Sequence, residues 1–143
     1  MISFDDLKQY DGNPPDKALK RKTYLNVMYG KHVKKLKESG LTISDYILGK
    51  ILNDYKTDKI IVTQNRFPYD VQTNVMHLLV WLNPLYDGDE KYVRDVLKDS
   101  GLDKGTYVLF ENDPDHRSVP GVRHFHLFIK TADAKKLTIE PEF

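Results

Sequence analysis

The run Val75-Met76-His77-Leu78-Leu79-Val80-Trp81-Leu82 is apolar at both even and odd positions, interrupted only by one histidine. A strand with one face in water alternates apolar and polar residues; this one does not, so it reads as central in a sheet. Ile60 to Thr63 reads as a strand before it, and Thr106 to Glu111 and Arg123 to Lys130 as strands after it. Asp87-Gly88-Asp89 leads into a helix through Tyr92, Val93, Val96 and Leu97, closed by Gly101. Upstream, a helix is expected from Asp16 to Ser39, stopping at Gly40, with Leu25, Met28, His32/Val33 and Leu36 at helical spacing. A second starts at Thr42 or Ser44 and aligns Ile43, Ile47, Ile51 and Tyr55. Residues 1–16, with Gly12, Asn13, Pro14 and Pro15, read as a loose lead-in, and the polar tail after Thr131 as peripheral. The expected fold is a single α+β domain over residues 1–143. It has a helical part at 17–56 and a strand-strand-helix-strand-strand core at 59–130, forming an antiparallel sheet of four or more strands.

Composition removes several chemistries. With no cysteine, the chain has no disulfide, no thiolate metal site and no cysteine nucleophile. No run approaches the roughly 18 apolar residues that a membrane span needs, and the N-terminus lacks a signal-peptide pattern. The expectation is therefore an intracellular protein without membrane association. The net charge of +1 gives no global pull toward nucleic acid. Locally, however, Lys17, Lys20, Arg21, Lys22, Lys31, Lys34, Lys35 and Lys37 make the first helix basic. That helix is read either as a solvated face or as a weak nucleic-acid contact. No Walker loop, Gly-x-Gly-x-x-Gly, His-Glu-x-x-His or Gly-x-Ser-x-Gly pattern occurs.

The candidate site centres on His124 and His126. Two apart on a strand, they share a face, while Arg123, Phe125, Leu127 and Ile129 take the other. Arg117 and Arg123 offer forked donors for phosphate or carboxylate, and Ser118-Val119-Pro120-Gly121 is a turn able to expose backbone N–H groups to an anion. Arg66, in Asn65-Arg66-Phe67-Pro68-Tyr69, is a further phosphate contact, while Phe67, Tyr69 and Trp81 read as core. His77 reads as a buried histidine bonded to a carbonyl. If its strand neighbours that of His124, it could instead complete a three-imidazole cluster suited to zinc or iron.

From Asn65 to Phe128 the chain resembles a family of uncharacterised intracellular proteins of eukaryotes and large DNA viruses. The matching pieces are Asn65-Arg66-Phe67-Pro68-Tyr69, His77-Leu78-Leu79-Val80-Trp81, Asn112-Asp113-Pro114, Ser118-Val119-Pro120 and His124-Phe125-His126. More distantly, Pro68, His77, Asn112, Ser118, His124 and His126 occur in the order found in the histidine-triad superfamily of nucleotide hydrolases and transferases. That resemblance implies a histidine-triad-like fold and makes His126 the nucleophile on phosphorus and His124 its neighbour. Asn112 would contact an imidazole or ribose, and Ser118 a phosphate oxygen. The third triad position is Phe128, Arg117 stands where the superfamily has Gln, and three extra residues separate Ser118 from His124.

Two functions are carried forward. One is a phosphate- or nucleotide-binding protein that hydrolyses or transfers a phosphoryl or nucleotidyl group through His126 and His124. The other is a module that binds such a small molecule without cleaving it, or holds a metal through its histidines. No cofactor is expected, and ligand identity and oligomeric state are left open. The expected ligand contacts are Arg66, His77, Asn112, Arg117, Ser118 and Arg123.

Overall fold

A computed structural model describes residues 1–112, 119 and 121–143. The elements run α1 (Phe4–Leu7), a short 3₁₀ turn (Lys8–Tyr10), α2 (Thr23–Glu38), α3 (Ile43–Asp54), β1 (Ile60–Gln64) and β2 (Val75–Leu82). They continue with α4 (Glu90–Asp99), β3 (Tyr107–Phe110), β4 (His124–Lys130) and α5 (Thr131–Ala134). The fold is α+β, built on a four-stranded antiparallel sheet in the order β1-β2-β4-β3.

β2 is central, as its unbroken apolar run requires. So is β4, buried on both faces from His124 to Ile129. Helices cover both faces of the sheet. Leu78, Val80, Leu82, Phe125, Leu127 and Ile129 pack with Val93 and Leu97 of α4 and Ala134 of α5. On the opposite face Val108, Phe110 and Phe128 pack with Phe4 and Leu7 of α1, and Ile61 and Trp81 pack with Ile47 and Ile51 of α3.

Local chemistry explains most boundaries. Thr42 and Asp45 form a reciprocal capping box at the start of α3. Asp89 caps α4 by accepting the Tyr92 N–H at 2.8 Å. Gly40, at φ +77°, lets the Leu41 N–H return to Leu36 O at 2.9 Å and end α2.

The first long helix differs from expectation, starting at Thr23 rather than Asp16. The segment before it is held by the loop after β1. Asp70 N–H donates to Lys20 O at 2.8 Å, and Arg21 Nε donates to Phe67 O at 2.6 Å. The N-terminal residues, read as a loose lead-in, instead bury Phe4 and Leu7 against the sheet. The tail turns back to bury Phe143, whose ring stacks on Trp81 at 5.8 Å.

Part of each sheet edge is covered by other backbone. Along β3, Gly12 N–H donates to Leu109 O at 2.8 Å, and the Asp11 carboxylate accepts the Leu109 N–H at 3.0 Å while pairing with Arg94 at 3.1 Å. Along β1, Gln64 N–H donates to Glu140 O at 3.0 Å, and Glu140 N–H donates to Val62 O at 2.8 Å.

Asn83, buried at the end of β2, staples the turn that joins α3 to β1. Its amide nitrogen lies 3.2, 3.2 and 2.9 Å from the carbonyls of Tyr55, Lys56 and Asp58, and its oxygen accepts the Leu85 N–H at 3.0 Å. Asn83→Ala removes these four part-buried bonds and is expected to lower stability by on the order of 3 kcal/mol in urea denaturation. An unchanged midpoint would show that the turn holds without the staple.

Candidate functional site

The register of β2 against β4 sets His77 opposite Phe128, Leu79 opposite His126 and Trp81 opposite His124. All of these side chains lie on the face covered by α1 and α3. His77 and His126 are linked by a 2.8 Å bond between His77 Nε2 and His126 Nδ1. The other end of His77 is fixed by the backbone, because Tyr69 N–H donates to its Nδ1 at 2.9 Å.

That single bond dictates the protons of the whole row. A backbone N–H can only donate, so His77 Nδ1 holds a lone pair and Nε2 the hydrogen. His77 then donates to His126 Nδ1, which places the His126 hydrogen on Nε2. The Asn112 amide lies 2.9 Å from that atom and must present its oxygen. Burial holds both imidazoles well below the usual histidine range, and the positive potential of Arg21 and the neighbouring imidazoles adds to it. His124 takes the other tautomer, since its Nδ1 lies 3.0 Å from the Val122 carbonyl and must donate, leaving the lone pair on Nε2.

Two consequences bear on chemistry. As placed, His126 offers no lone pair to a phosphorus atom, because one nitrogen accepts from His77 and the other carries hydrogen. Phe128, at the third triad position, stacks on His77 at 4.3 Å and 13° as part of the wall. The nitrogens of His77 and His126 point at each other instead of at a shared centre, and no group of three metal-ligating side chains gathers among the described residues.

Beside this row lies a cavity of about 60 Å³ between the sheet and the two N-terminal helices. Its apolar wall includes Ile43, Ile47, Leu79, Trp81 and Phe143. Its polar lining includes Arg21, His32, Asn65, Arg66, His124 and His126, and no aspartate or glutamate side chain lines it among the described residues. Arg21 lies 4.9 Å over the Tyr69 ring. Burial, with help from Arg66 and Lys35, lowers the pKa of His32.

Of the expected site residues, the structure brings His77, Asn112, His124 and His126 together and places Arg66 in the cavity lining. Arg123 is not brought there. Its side chain is exposed and forks onto the Glu111 carboxylate with two 2.9 Å bonds. Arg117 and Ser118 lie outside the described residues. Arg21 and His32 also line the cavity: His32 lay on the expected apolar stripe of the first helix without being counted at the site, and nothing in a lysine-rich segment announces that Arg21 is the cation turned inward. Trp81 does pack in the core, where it donates to Thr63 Oγ1 at 3.0 Å, and it also forms the cavity wall.

Fold and site together define an α+β protein with a buried imidazole row beside a basic-lined cavity. The chain belongs to the family described as "Protein of unknown function (DUF3605)", which matches residues 3–90. The matched region holds both long N-terminal helices, Arg66 and His77, and ends before Asn112, His124 and His126. An uncharacterised family is thus supported, while the histidine-triad resemblance gains no confirmation. A solved structure titled "Crystal Structure of HTC1" superposes with a TM-score of 0.62 at 20% identity, covering 91% of this chain and 85% of that one. At that identity the likeness speaks for the fold alone. No curated protein matches the chain.

Proposed function

We propose that this protein binds a small anionic molecule of the phosphate-ester or nucleotide class in the cavity beneath α2 and releases it unchanged. The observation that carries this reading is the makeup of the lining: two arginine charges and three imidazoles, with no acidic side chain among the described residues. Guanidinium groups suit phosphate oxygens, and Trp81 and Phe67 supply flat apolar walls. The enclosed volume suits a phosphate-sized group, with any larger part of the ligand extending past exposed Arg66.

Titration of the ¹⁵N-labelled protein with inorganic phosphate and with adenosine monophosphate tests the reading. Saturable shifts at His124, Asn65 and Arg66 are expected, with affinity falling roughly tenfold in Arg66→Ala. Absence of shifts at millimolar ligand would end the proposal.

A second reading is histidine-mediated phosphoryl or nucleotidyl transfer. It is favoured by the place of His124 and His126 side by side in the cavity lining. Product appearing during the nucleotide titration, and lost in His124→Ala, would replace binding with turnover.

A further inference from the structure

From Lys17 to Lys37 the chain carries seven lysines, one arginine and no acidic residue, leaving the remainder of the protein net acidic. Helix α2 spends only one side on the fold. Leu25, Tyr29, His32, Val33 and Leu36 are partly buried, and none of its residues is fully buried. At 100° per residue, Val27, Lys31 and Lys34 point away from that side, and Tyr24, Met28 and Lys35 lie along one flank of the outward surface. Tyr24, Val27 and Met28 are 59%, 52% and 52% exposed. Lys20 and Lys22, also exposed, stand just before them, so cations flank the apolar trio at both ends.

From this arrangement we infer that the outward side of α2 docks on an anionic lipid surface. The helix lies in the interface with Tyr24, Val27 and Met28 inserted at headgroup depth and the lysines over acidic headgroups. Among the described residues no helix is long and apolar enough to cross a membrane, so this is contact with a surface and not insertion through it.

Three features favour lipid over a macromolecular partner. The outward cations are all lysines, flexible point charges suited to a diffuse charged plane; the one arginine of the segment is turned inward. Val27 and Met28 stand on the exposed convex surface of the helix, while Tyr24 borders a groove shared with Lys22, Tyr69 and Asp70. Val27 and Met28 add nothing to phosphate or base recognition, where aromatic stacking would be needed.

Sedimentation of the full chain with vesicles tests the inference. Binding is expected to phosphatidylserine-containing phosphatidylcholine vesicles but not to phosphatidylcholine alone, and to weaken steeply with added salt. Replacing Lys31, Lys34 and Lys35 by Gln should weaken it by roughly a hundredfold, and Val27→Glu with Met28→Glu by at least roughly tenfold. These positions are exposed, and unchanged circular dichroism confirms that the variants fold. Failure to bind phosphatidylserine vesicles, undiminished binding by either variant, or tighter binding to an RNA homopolymer at the same salt would overturn it. Phosphate or nucleotide binding in the cavity is read separately and stands or falls without this result.

Discussion

Acidification from pH 7 to pH 5 is expected to remove folding stability, by an amount on the order of a few kcal/mol. His77 and His126 are neutral in the folded protein because burial keeps their pKa values well below the ordinary 6.5. In the unfolded chain each takes up a proton near 6.5. Below that pH the unfolded state holds up to two more protons, and stability declines by roughly 1.4 kcal/mol per pH unit for each histidine that stays neutral. Well above pH 6.5 neither state is protonated and the contribution levels off. His32 shifts in the same direction but is screened by solvent. Most carboxylates titrate below this window, near pH 4, so it isolates the imidazoles. Urea midpoints at the two pH values measure the effect, and His126→Gln should roughly halve the pH dependence. Equal midpoints would show that the buried row is protonated in the fold, contrary to the bond from Tyr69.

Phe128→Ala is expected to cost about 3–5 kcal/mol, while Phe128→Leu, which keeps most of the volume, should cost less than about 1.5 kcal/mol. The ring is fully buried and packs against His77 at 4.3 Å, Phe110 at 5.7 Å and Tyr69 at 6.3 Å. Urea denaturation of both variants at pH 7 gives the comparison. A loss below about 1 kcal/mol for the alanine variant would mean that the site collapses readily around the missing ring. The same packing accounts for an aromatic residue where a triad would have a third imidazole: the position serves as the wall behind His77.

How much of this could be read from the sequence depended on whether the cause was local. β2 was legible to the residue because an eight-residue run apolar at both parities has few other places to go. Thr42, Asp89 and Gly101 marked helix boundaries because caps act within one turn. The start of α2 was misread from Asp16 because its true cause is distant: the loop at 67–70 holds Lys20 and Arg21 out of the helix. Gly12, Asn13, Pro14 and Pro15 obscured the docking of Phe4 and Leu7, whose partners lie on strands about a hundred residues on.

The shared face of His124 and His126 followed from strand periodicity, and the arrival of His77 beside them was conditional on a strand pairing that the fold supplies. The expectation that His77 bonds a carbonyl is reversed. Its Nδ1 accepts from the Tyr69 N–H, a contact set by how the loop after β1 folds over β2. Arg123 was placed at the site for its charge, but strand alternation puts it on the other side, where Glu111 receives it.

The arrangement of Asp11 and Gly12 along β3, and of Glu140 along β1, reaches beyond the architecture of one molecule. An open strand margin is a template on which extended peptides, or other copies of the same chain, can stack into fibrils. Here part of each margin is already occupied by the protein's own ends. Stacking through those stretches is therefore blocked, and removing residues 1–12 or 138–143 should make the protein more prone to amyloid-like assembly.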